Sequence, residues 1–265
     1  MISATPKVIL KSPREIEIMR AAGRLVHQVL SELAATARVG STTGEMDAIA
    51  SRLIRDAGAT PLFLGVKNQQ ARFPFPACIC ASVNEEVVHG IPDDRPLKAG
   101  DIVSVDVGVR LNGYCGDSAL TIPIGTPSPV IRRLLDVTKR SLQLALDESK
   151  PGVRWSKVAR LVQSMIEDAG YGVVREFVGH GVGREMHEEP KVPNYVDRKS
   201  KSQDFLLVPG MTIAVEPMVT AGGYDVEFRD HDRWTVVTKD RSLAAHFEHT
   251  IAVTHDGIDI LTDGR

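Results

Sequence analysis

The chain has 265 residues, of which 43% are hydrophobic and 25% are charged, and its formal net charge is −2. This length and composition predict a globular protein that can bury an extensive core. A nearly balanced charge without long runs of lysine and arginine argues against a surface for nucleic acid or an anionic membrane. We therefore expect neither partner.

The N-terminal residues lack the features of a secretory signal. Their only apolar run, Val8-Ile9-Leu10, is followed by Lys11 and Pro13, whereas a secretory signal needs an apolar region of roughly 7–15 residues. The chain also has three cysteines, which are too few and too irregularly spaced for a disulfide framework or a thiolate zinc site. These features favour a reducing compartment, most simply the cytoplasm.

Two helices are predicted before any chemically distinctive residue. Ser12-Pro13-Arg14-Glu15 has the form of a capping box with proline at the first helical position, and apolar residues then recur at helical spacing as far as Leu33. A second helix is predicted from about Gly44 to Ala57, with Gly58 ending it. Residues 1–11 are expected to form an N-terminal extension.

A β-hairpin carrying two aspartates is predicted next. Residues 102–111 and 114–122 are rich in β-forming residues and flank Asn112-Gly113, which favours a two-residue type I′ turn. The turn fixes the register, so Gly108 faces Asp117, and Asp106 lies diagonally from Asp117 with backbones roughly 7–8 Å apart. Both carboxylates could then reach a metal pair, in the open volume expected above Gly108. The alternative is a surface hairpin with two solvated aspartates.

The second half of the chain repeats the pattern of the first. Ser128-Pro129 begins another helical run, residues 152–170 resemble residues 40–58, and residues 207–216 resemble residues 97–106. In the last alignment Glu216 falls on Asp106. The repeat predicts an α+β fold of two halves, about 12–125 and 126–255, related by a pseudo-twofold around one mostly antiparallel sheet. Because no linker composition separates the halves, residues 12–265 are expected to form a single domain.

Five side chains with metal-ligand chemistry lie in apolar or glycine-rich segments: Asp106, Asp117, His180, Glu216 and Glu248. Buried carboxylates are unfavourable unless a cation compensates them, so their sharing of divalent metal is the simplest explanation. One nitrogen and four carboxylates form an oxygen-dominated set that differs from thiolate zinc sites and from HExxH proteases. The set predicts a hydrolytic site with two divalent ions, cobalt, manganese, iron or zinc, between which the sequence does not choose.

Alternative interpretations exist for several of these residues. His180 could be a histidine packed at a strand end. His246 and His249, which flank Glu248, are expected at the surface or beside the metal ligands. Glu188 is expected to be a solvated loop charge.

Several motifs together resemble the type I methionine aminopeptidases, from about Ser12 to Val253. The motifs are Asn84-Glu85-Glu86-Val87-Val88-His89-Gly90-Ile91-Pro92, Gly179-His180-Gly181-Val182-Gly183, His187-Glu188-Glu189-Pro190, Val215-Glu216-Pro217-Met218 and Glu248-His249-Thr250. The resemblance implies the pita-bread fold, in which two α+β halves surround a curved sheet, and a single catalytic domain.

The resemblance also implies a role for each site residue. Asp106 would chelate one metal, Asp117 and Glu248 would bridge the pair, and His180 with Glu216 would complete the other shell. His89 and His187 would face the substrate and act in catalysis with Glu216. Phe75, Cys80 and Trp234 would form walls of the methionine pocket.

The implied reaction is removal of the initiator methionine from nascent proteins or peptides with a small second residue. A water or hydroxide between the two metals would attack the scissile carbonyl. Proximity to the ribosome and a monomeric state are further expectations. Two departures leave the substrate range open: residues 65–74 are longer than the family's usual pocket loop, and Met186 stands where an aromatic is common.

Two other functions compete with this interpretation. One is an X-Pro-directed aminopeptidase or dipeptidase of the same fold, but such enzymes usually carry an additional N-terminal domain. The other is a catalytically inactive pita-bread module that binds peptides or proteins. Such modules lose metal ligands, whereas all five are present here.

Overall fold

Four helices and fifteen strands make up the part of the chain that the computed structural model describes, residues 8–196 and 204–265. The helices are α1 (Pro13–Thr36), α2 (Thr43–Asp56), α3 (Pro129–Glu148) and α4 (Trp155–Asp168). The strands are β1 (Thr60–Pro61), β2 (Cys80–Val83), β3 (Glu86–Val88), β4 (Ile102–Leu111), β5 (Tyr114–Pro123), β6 (Gly172–Val173), β7 (Gly179–Gly181), β8 (Glu188–Val192), β9 (Thr212–Val215), β10 (Met218–Thr220), β11 (Val226–Phe228), β12 (Val236–Thr238), β13 (Ala244–His246), β14 (His249–Val253) and β15 (Ile258–Ile260).

Side-chain caps start α1, α2 and α3, whereas Arg154 before α4 makes no side-chain cap hydrogen bond. Ser12 caps α1 and forms the capping box with Glu15. A second capping box, between Thr42 and Glu45, starts α2 one residue before the predicted position. Ser128 caps α3 through the backbone N–H of Ile131. Each cap satisfies an N–H group that has no partner within its helix. No helix in the described ranges has the length and apolar character needed to cross a membrane.

Every strand pairing within the described ranges is antiparallel, which confirms the α+β class. Strand β4 lies between β2 and β5 and also pairs with β1. The largest sheet has the order β15-β14-β9-β7-β8. Two three-stranded sheets, β13-β10-β6 and β11-β12-β3, complete the arrangement.

The hairpin of β4 and β5 has the predicted register. Leu111 pairs with Tyr114 and Gly108 pairs with Asp117. Asn112 and Gly113 have φ angles of 52° and 80°, as a type I′ turn requires. The open volume expected above Gly108 is absent: a Cβ built there would lie 3.1 Å from the Phe63 ring. That expectation was wrong because Phe63, from a segment before β2, packs over the glycine.

The two halves share local hydrogen bonds as well as element order. In the first half, the N–H of Gly40 donates to the Leu97 carbonyl at 2.8 Å, and in the second the N–H of Gly152 donates to the Leu207 carbonyl at 2.8 Å. Strand β4 is flanked by β2 and β5, as β9 is by β7 and β14. One core packs beneath α1 and α2, and another beneath α3 and α4. The equivalent central strands thus bring acidic residues from both halves to one place.

The start of the described chain is tied to the second half. The Lys11 ammonium pairs with the Glu188 carboxylate at 2.5 Å, with side chains only 3% and 8% exposed. The N–H of Lys11 also donates to the Gly210 carbonyl. Glu188 is therefore a buried ion-pair partner and not the solvated loop charge that we expected. Residues 1–7 of the predicted N-terminal extension lie outside the described residues.

Candidate metal centre

The five predicted metal ligands meet in one cavity of about 230 Å³. Asp106 and Asp117 come from the β4–β5 hairpin, and His180 comes from β7. Glu216 follows β9, and Glu248 lies between β13 and β14. The cavity is also lined by the other residues that the sequence analysis selected: His89, His187, Phe75, Cys80 and Trp234.

The carboxylates and imidazoles are spaced as ligands that share cations. The His180 Nε2 lies 3.6 Å from Asp117 Oδ2 and 3.7 Å from Glu216 Oε1. Ligand atoms of Asp106, Asp117 and Glu248 lie within 4.8 Å of one another. Glu248 also belongs to a second cluster of this kind, with Glu216 and His246. The two clusters share the Glu248 carboxylate.

Backbone hydrogen bonds hold the segment with Glu248 against the aspartate hairpin. The N–H of Glu248 donates to the Ala119 carbonyl at 2.9 Å, and the Ser118 hydroxyl donates to the Glu248 carbonyl. The Thr250 hydroxyl donates to the Asp117 carbonyl at 2.7 Å. These bonds join the two halves of the chain and hold the Glu248 segment against β5.

Burial and mutual repulsion make four negative charges unfavourable here without a cation. Burial raises the pKa of Asp117 to about 7. Burial and the Asp117 carboxylate raise the pKa of Glu216 to about 8. The pKa values of Asp106 and Glu248 are raised well above their ordinary range by burial and by neighbouring carboxylates. Burial also lowers the pKa of His180 to about 4, which leaves a neutral imidazole that can donate its lone pair.

Unpartnered oxygen atoms show that the donor set fits divalent metal. Within the described ranges Asp106 Oδ1, Asp117 Oδ1 and Glu248 Oε1 are buried without a hydrogen-bond partner. Buried polar groups of this kind are rare in proteins unless another species satisfies them. Hard divalent cations prefer carboxylate oxygen, and one or two imidazoles extend the choice to transition metals. The residues present therefore fit the expected metal.

Two further histidines stand beside the acidic cluster. The rings of His180 and His187 have centroids 4.3 Å apart. His89 follows β3, and its ring packs edge-on against Phe177 at 5.3 Å between centroids. Burial and the neighbouring His187 lower the pKa of His89 to about 4. The imidazoles of His89 and His187 line the cavity and can make hydrogen bonds to a molecule bound there.

The other end of the cavity is apolar and aromatic. The rings of Phe75 and Trp234 pack edge to face with centroids 5.3 Å apart. Cys80 lies opposite Asp106 in the β2–β4 pairing, so this apolar wall is continuous with the acidic cluster. The Trp234 indole N–H donates to the Phe73 carbonyl at 2.9 Å, which ties the 65–74 segment to the pocket wall. Met186 packs against the same cluster.

Sequence reasoning did not select several residues that line this cavity, and it left the position of His246 open. Phe63 and Phe177 line the cavity, but neither belongs to a recognisable motif. His246 was left among the histidines with a surface or supporting position, and it is 2% exposed. Its position two residues before Glu248 was an available signal, because alternate residues of an extended segment share a face.

The chain is similar to known proteins over almost its whole length. Residues 17–255 match metallopeptidase family M24. The chain is 49% identical to methionine aminopeptidase 1 of Bacillus subtilis strain 168 over 255 residues, 96% of this chain and 99% of that protein. It is 46% identical to the methionine aminopeptidase of Clostridium acetobutylicum over 256 residues, 96% of this chain and 98% of that protein.

The fold is also that of a solved relative. The structure of methionine aminopeptidase from Rickettsia prowazekii superimposes with a TM-score of 0.90 at 37% identity, covering 97% of this chain and 100% of that chain. These similarities confirm the pita-bread fold expected from the motifs. Because both the family match and the identity to full-length relatives span most of the sequence, the chain belongs to the methionine aminopeptidases of metallopeptidase family M24.

Proposed function

We propose that this chain removes the N-terminal methionine from peptides and nascent proteins whose second residue is small, with the help of two divalent metal ions. Membership of the family makes it a metal-dependent aminopeptidase. The observation that carries the rest is a cluster of four carboxylates, two buried and two partly buried, at the end of an apolar, aromatic slot. The acidic end suits metal, and the slot suits an unbranched apolar side chain.

Each metal ion would have ligands of its own, and the two ions would share two bridging carboxylates. Asp106 would hold one ion, His180 and Glu216 would hold the other, and Asp117 and Glu248 would bridge them. The grouping of Asp106 with Asp117 and Glu248 supports this assignment, as do the contacts of His180 with Asp117 and Glu216. Cobalt, manganese, iron and zinc all suit such a mixed oxygen and nitrogen set.

A bound pair of divalent cations supplies Lewis-acid polarisation of the scissile carbonyl and acidifies water to a pKa of roughly 7. The chain's own residues would position the substrate and move protons. Glu216 would accept the proton of the attacking water. His187 would donate a hydrogen bond to the carbonyl oxygen as negative charge develops on it. His89 would contact the scissile amide and assist proton transfer to the leaving amine.

Methionine would occupy the slot formed by Phe75, Cys80 and Trp234. A thioether makes favourable contacts with aromatic rings, and its unbranched chain fits a narrow apolar cavity. The free α-amino group would bind at the Asp106 end, to the metal that Asp106 would hold. This polarity explains why the enzyme would trim chain ends and not internal peptide bonds.

The setting of the enzyme is also part of the proposal. All three cysteines are free and buried, which supports a reducing compartment such as the cytoplasm. Action on chains at the ribosome and a monomeric state follow from the family resemblance alone. The same is true of the preference for a small second residue.

A matched set of peptides tests the proposed specificity. We expect manganese-loaded protein to release methionine from Met-Ala-Ser and Met-Gly-Met, and to act much more slowly on Leu-Ala-Ser and Met-Leu-Ser. Preference for Ala-Pro-Ser over Met-Ala-Ser would instead identify an X-Pro aminopeptidase. If cobalt, manganese, iron and zinc all fail to support cleavage of any peptide, the chain is a binding module and the proposal is wrong.

A further inference from the structure

His246 lies between two of the proposed metal ligands without contacting either at hydrogen-bond distance. Its Nε2 is 3.8 Å from Glu216 Oε2 and 3.8 Å from Glu248 Oε2. The residue is 2% exposed, and its Nε2 is buried with no hydrogen-bond partner in the described part of the chain. Ordinary hydrogen bonds from nitrogen to oxygen span about 2.7–3.2 Å. A small movement of either carboxylate would therefore satisfy this nitrogen.

The two histidines near Glu216 approach different oxygens of the same carboxylate. His180 Nε2 lies 3.7 Å from Oε1, whereas His246 Nε2 lies 3.8 Å from Oε2. His180 is the proposed metal ligand, so Oε1 is the oxygen on the metal side. His246 faces the remaining oxygen, which a hydrogen bond could hold without competing for the cation.

The backbone of His246 is fixed to the aspartate hairpin from both sides. Its N–H donates to the Thr121 hydroxyl at 2.9 Å, and the same hydroxyl donates to its carbonyl at 2.9 Å. Thr121 in turn bonds the Ser104 hydroxyl at 2.8 Å. The backbone of His246 is thus held by the same strands that carry Asp106 and Asp117.

We propose that His246 is a positioning residue of the metal centre, whose neutral Nε2–H donates a hydrogen bond to Oε2 of Glu216 and Oε2 of Glu248. The bond would fix the rotation of both carboxylates and leave their other oxygens for the metals and for proton transfer. This inference rests on the proposed dinuclear function. Groups that orient metal ligands in this way raise metal affinity by about 10–100-fold.

Two substitutions separate hydrogen bonding from other roles. His246→Leu removes the donor by replacing the imidazole with an apolar side chain of similar size, whereas His246→Gln restores an N–H donor. The control is His255→Gln, which removes an imidazole from an exposed loop away from the cavity lining. We would measure manganese affinity by calorimetry, and kcat and KM for Met-Ala-Ser.

We expect His246→Leu to weaken manganese binding by about 10–100-fold and to lower kcat with little change in KM. His246→Gln should recover most of both losses, and His255→Gln should behave as the wild type. Wild-type behaviour of His246→Leu would overturn the inference. Failure of His246→Gln to recover either loss would also overturn it.

A direct measurement avoids reliance on variants that fail to fold. In zinc-loaded protein with ¹⁵N-labelled histidine, the His246 Nε2 signal should be that of a protonated nitrogen whose proton exchanges slowly. A deprotonated, metal-coordinated Nε2 would make His246 a ligand and overturn the positioning role. If instead wild-type protein binds no metal and releases no methionine, the proposed function fails, and not only this inference.

Discussion

At the scale of single residues, Asp117 connects the two parts of the centre. Its Oδ2 lies 3.6 Å from His180 Nε2, and its carboxylate also belongs to the cluster with Asp106 and Glu248. It is 4% exposed, and its Oδ1 has no hydrogen-bond partner among the described residues. Asp117 therefore lies close to the proposed ligands of both metals, His180 on one side and Asp106 on the other.

Replacing Asp117 by asparagine keeps the shape of the side chain but removes one negative charge from the bridge. We expect Asp117→Asn to lower kcat at least about 100-fold and to lose one equivalent of bound metal, because a neutral amide is a poor bridging ligand. Enzyme assays and metal analysis after dialysis measure both effects. Asp256→Asn, in an exposed loop, is the control, and normal turnover of Asp117→Asn would contradict the bridging role.

His187 is proposed to act on the substrate and not as a metal ligand. His187→Ala should therefore lower kcat by about 10²–10⁴-fold, the usual contribution of a positioned acid or base, while metal content stays at the wild-type level. Metal analysis beside steady-state kinetics separates the two effects. A variant that loses metal in proportion to its activity would make His187 a ligand.

At the scale of elements, short sequence motifs were sufficient to predict helix starts and strand register, because residues close in the chain determine both. The capping boxes at Ser12 and Thr42 fix the starts of α1 and α2, and Asn112-Gly113 fixes the β4–β5 register. That register predicted which face carries Asp106 and Asp117. The relative placement of Asp106 and Asp117 on the hairpin was therefore predictable from sequence pattern alone.

The turn of this hairpin gives a prediction of its own. Gly113 has a φ of 80°, and a Cβ there would meet no other atom within 4 Å, so conformational strain alone penalises a side chain. Gly113→Ala should lower the free energy of unfolding by about 1 kcal/mol. Gly257→Ala, also uncrowded but without a positive φ, should change it by less than about 0.5 kcal/mol. Equal effects in urea unfolding would contradict the type I′ turn's role.

Contacts between distant segments escaped the sequence analysis for a physical reason. Phe63 fills the space above Gly108, Glu188 pairs with Lys11, and His246 points between Glu216 and Glu248. Each contact depends on how separate elements pack, which hydrophobic periodicity does not encode. Repeats and motifs located the centre, but packing determined which neighbours complete it.

At the scale of the whole molecule, the centre lies where the two repeated halves meet. Residues from both central strands, Asp106 in β4 and Glu216 after β9, face one cavity. The hydrogen bonds of Thr250 and Glu248 to β5 join the halves directly beneath it. Four carboxylates without a cation should therefore weaken the whole fold, and metal should strengthen it.

The pH dependence of stability follows from the direction in which folding changes the pKa values of Asp117, Glu216 and His180. The pKa rises on folding from 3.8 to about 7 for Asp117 and from 4.5 to about 8 for Glu216, so the folded state retains protons that the unfolded state has lost. Stability then falls as pH rises through this interval. His180 has the opposite effect on stability. Its pKa falls on folding from 6.5 to about 4, so stability rises with pH between these values and His180 causes no further change above about pH 6.5.

Metal-free protein should therefore lose stability between about pH 6.5 and 8, where only the carboxylate effect remains. Added manganese should reverse the trend, because deprotonated carboxylates bind metal more tightly. Thermal unfolding with chelator and with manganese at both pH values measures this. A chelated protein that is equally stable at pH 8 would contradict the account of uncompensated carboxylates.

The most direct test of the central claim is a metal titration of chelated protein, followed by release of methionine from Met-Ala-Ser. We predict that the chelated protein is inactive and that manganese restores activity, with calorimetry showing two binding events per chain. Both events should be lost or weakened in Asp117→Asn. Full activity after complete removal of metal, or tight metal binding that restores no cleavage, would contradict the assignment of this cavity as a metal-dependent aminopeptidase site.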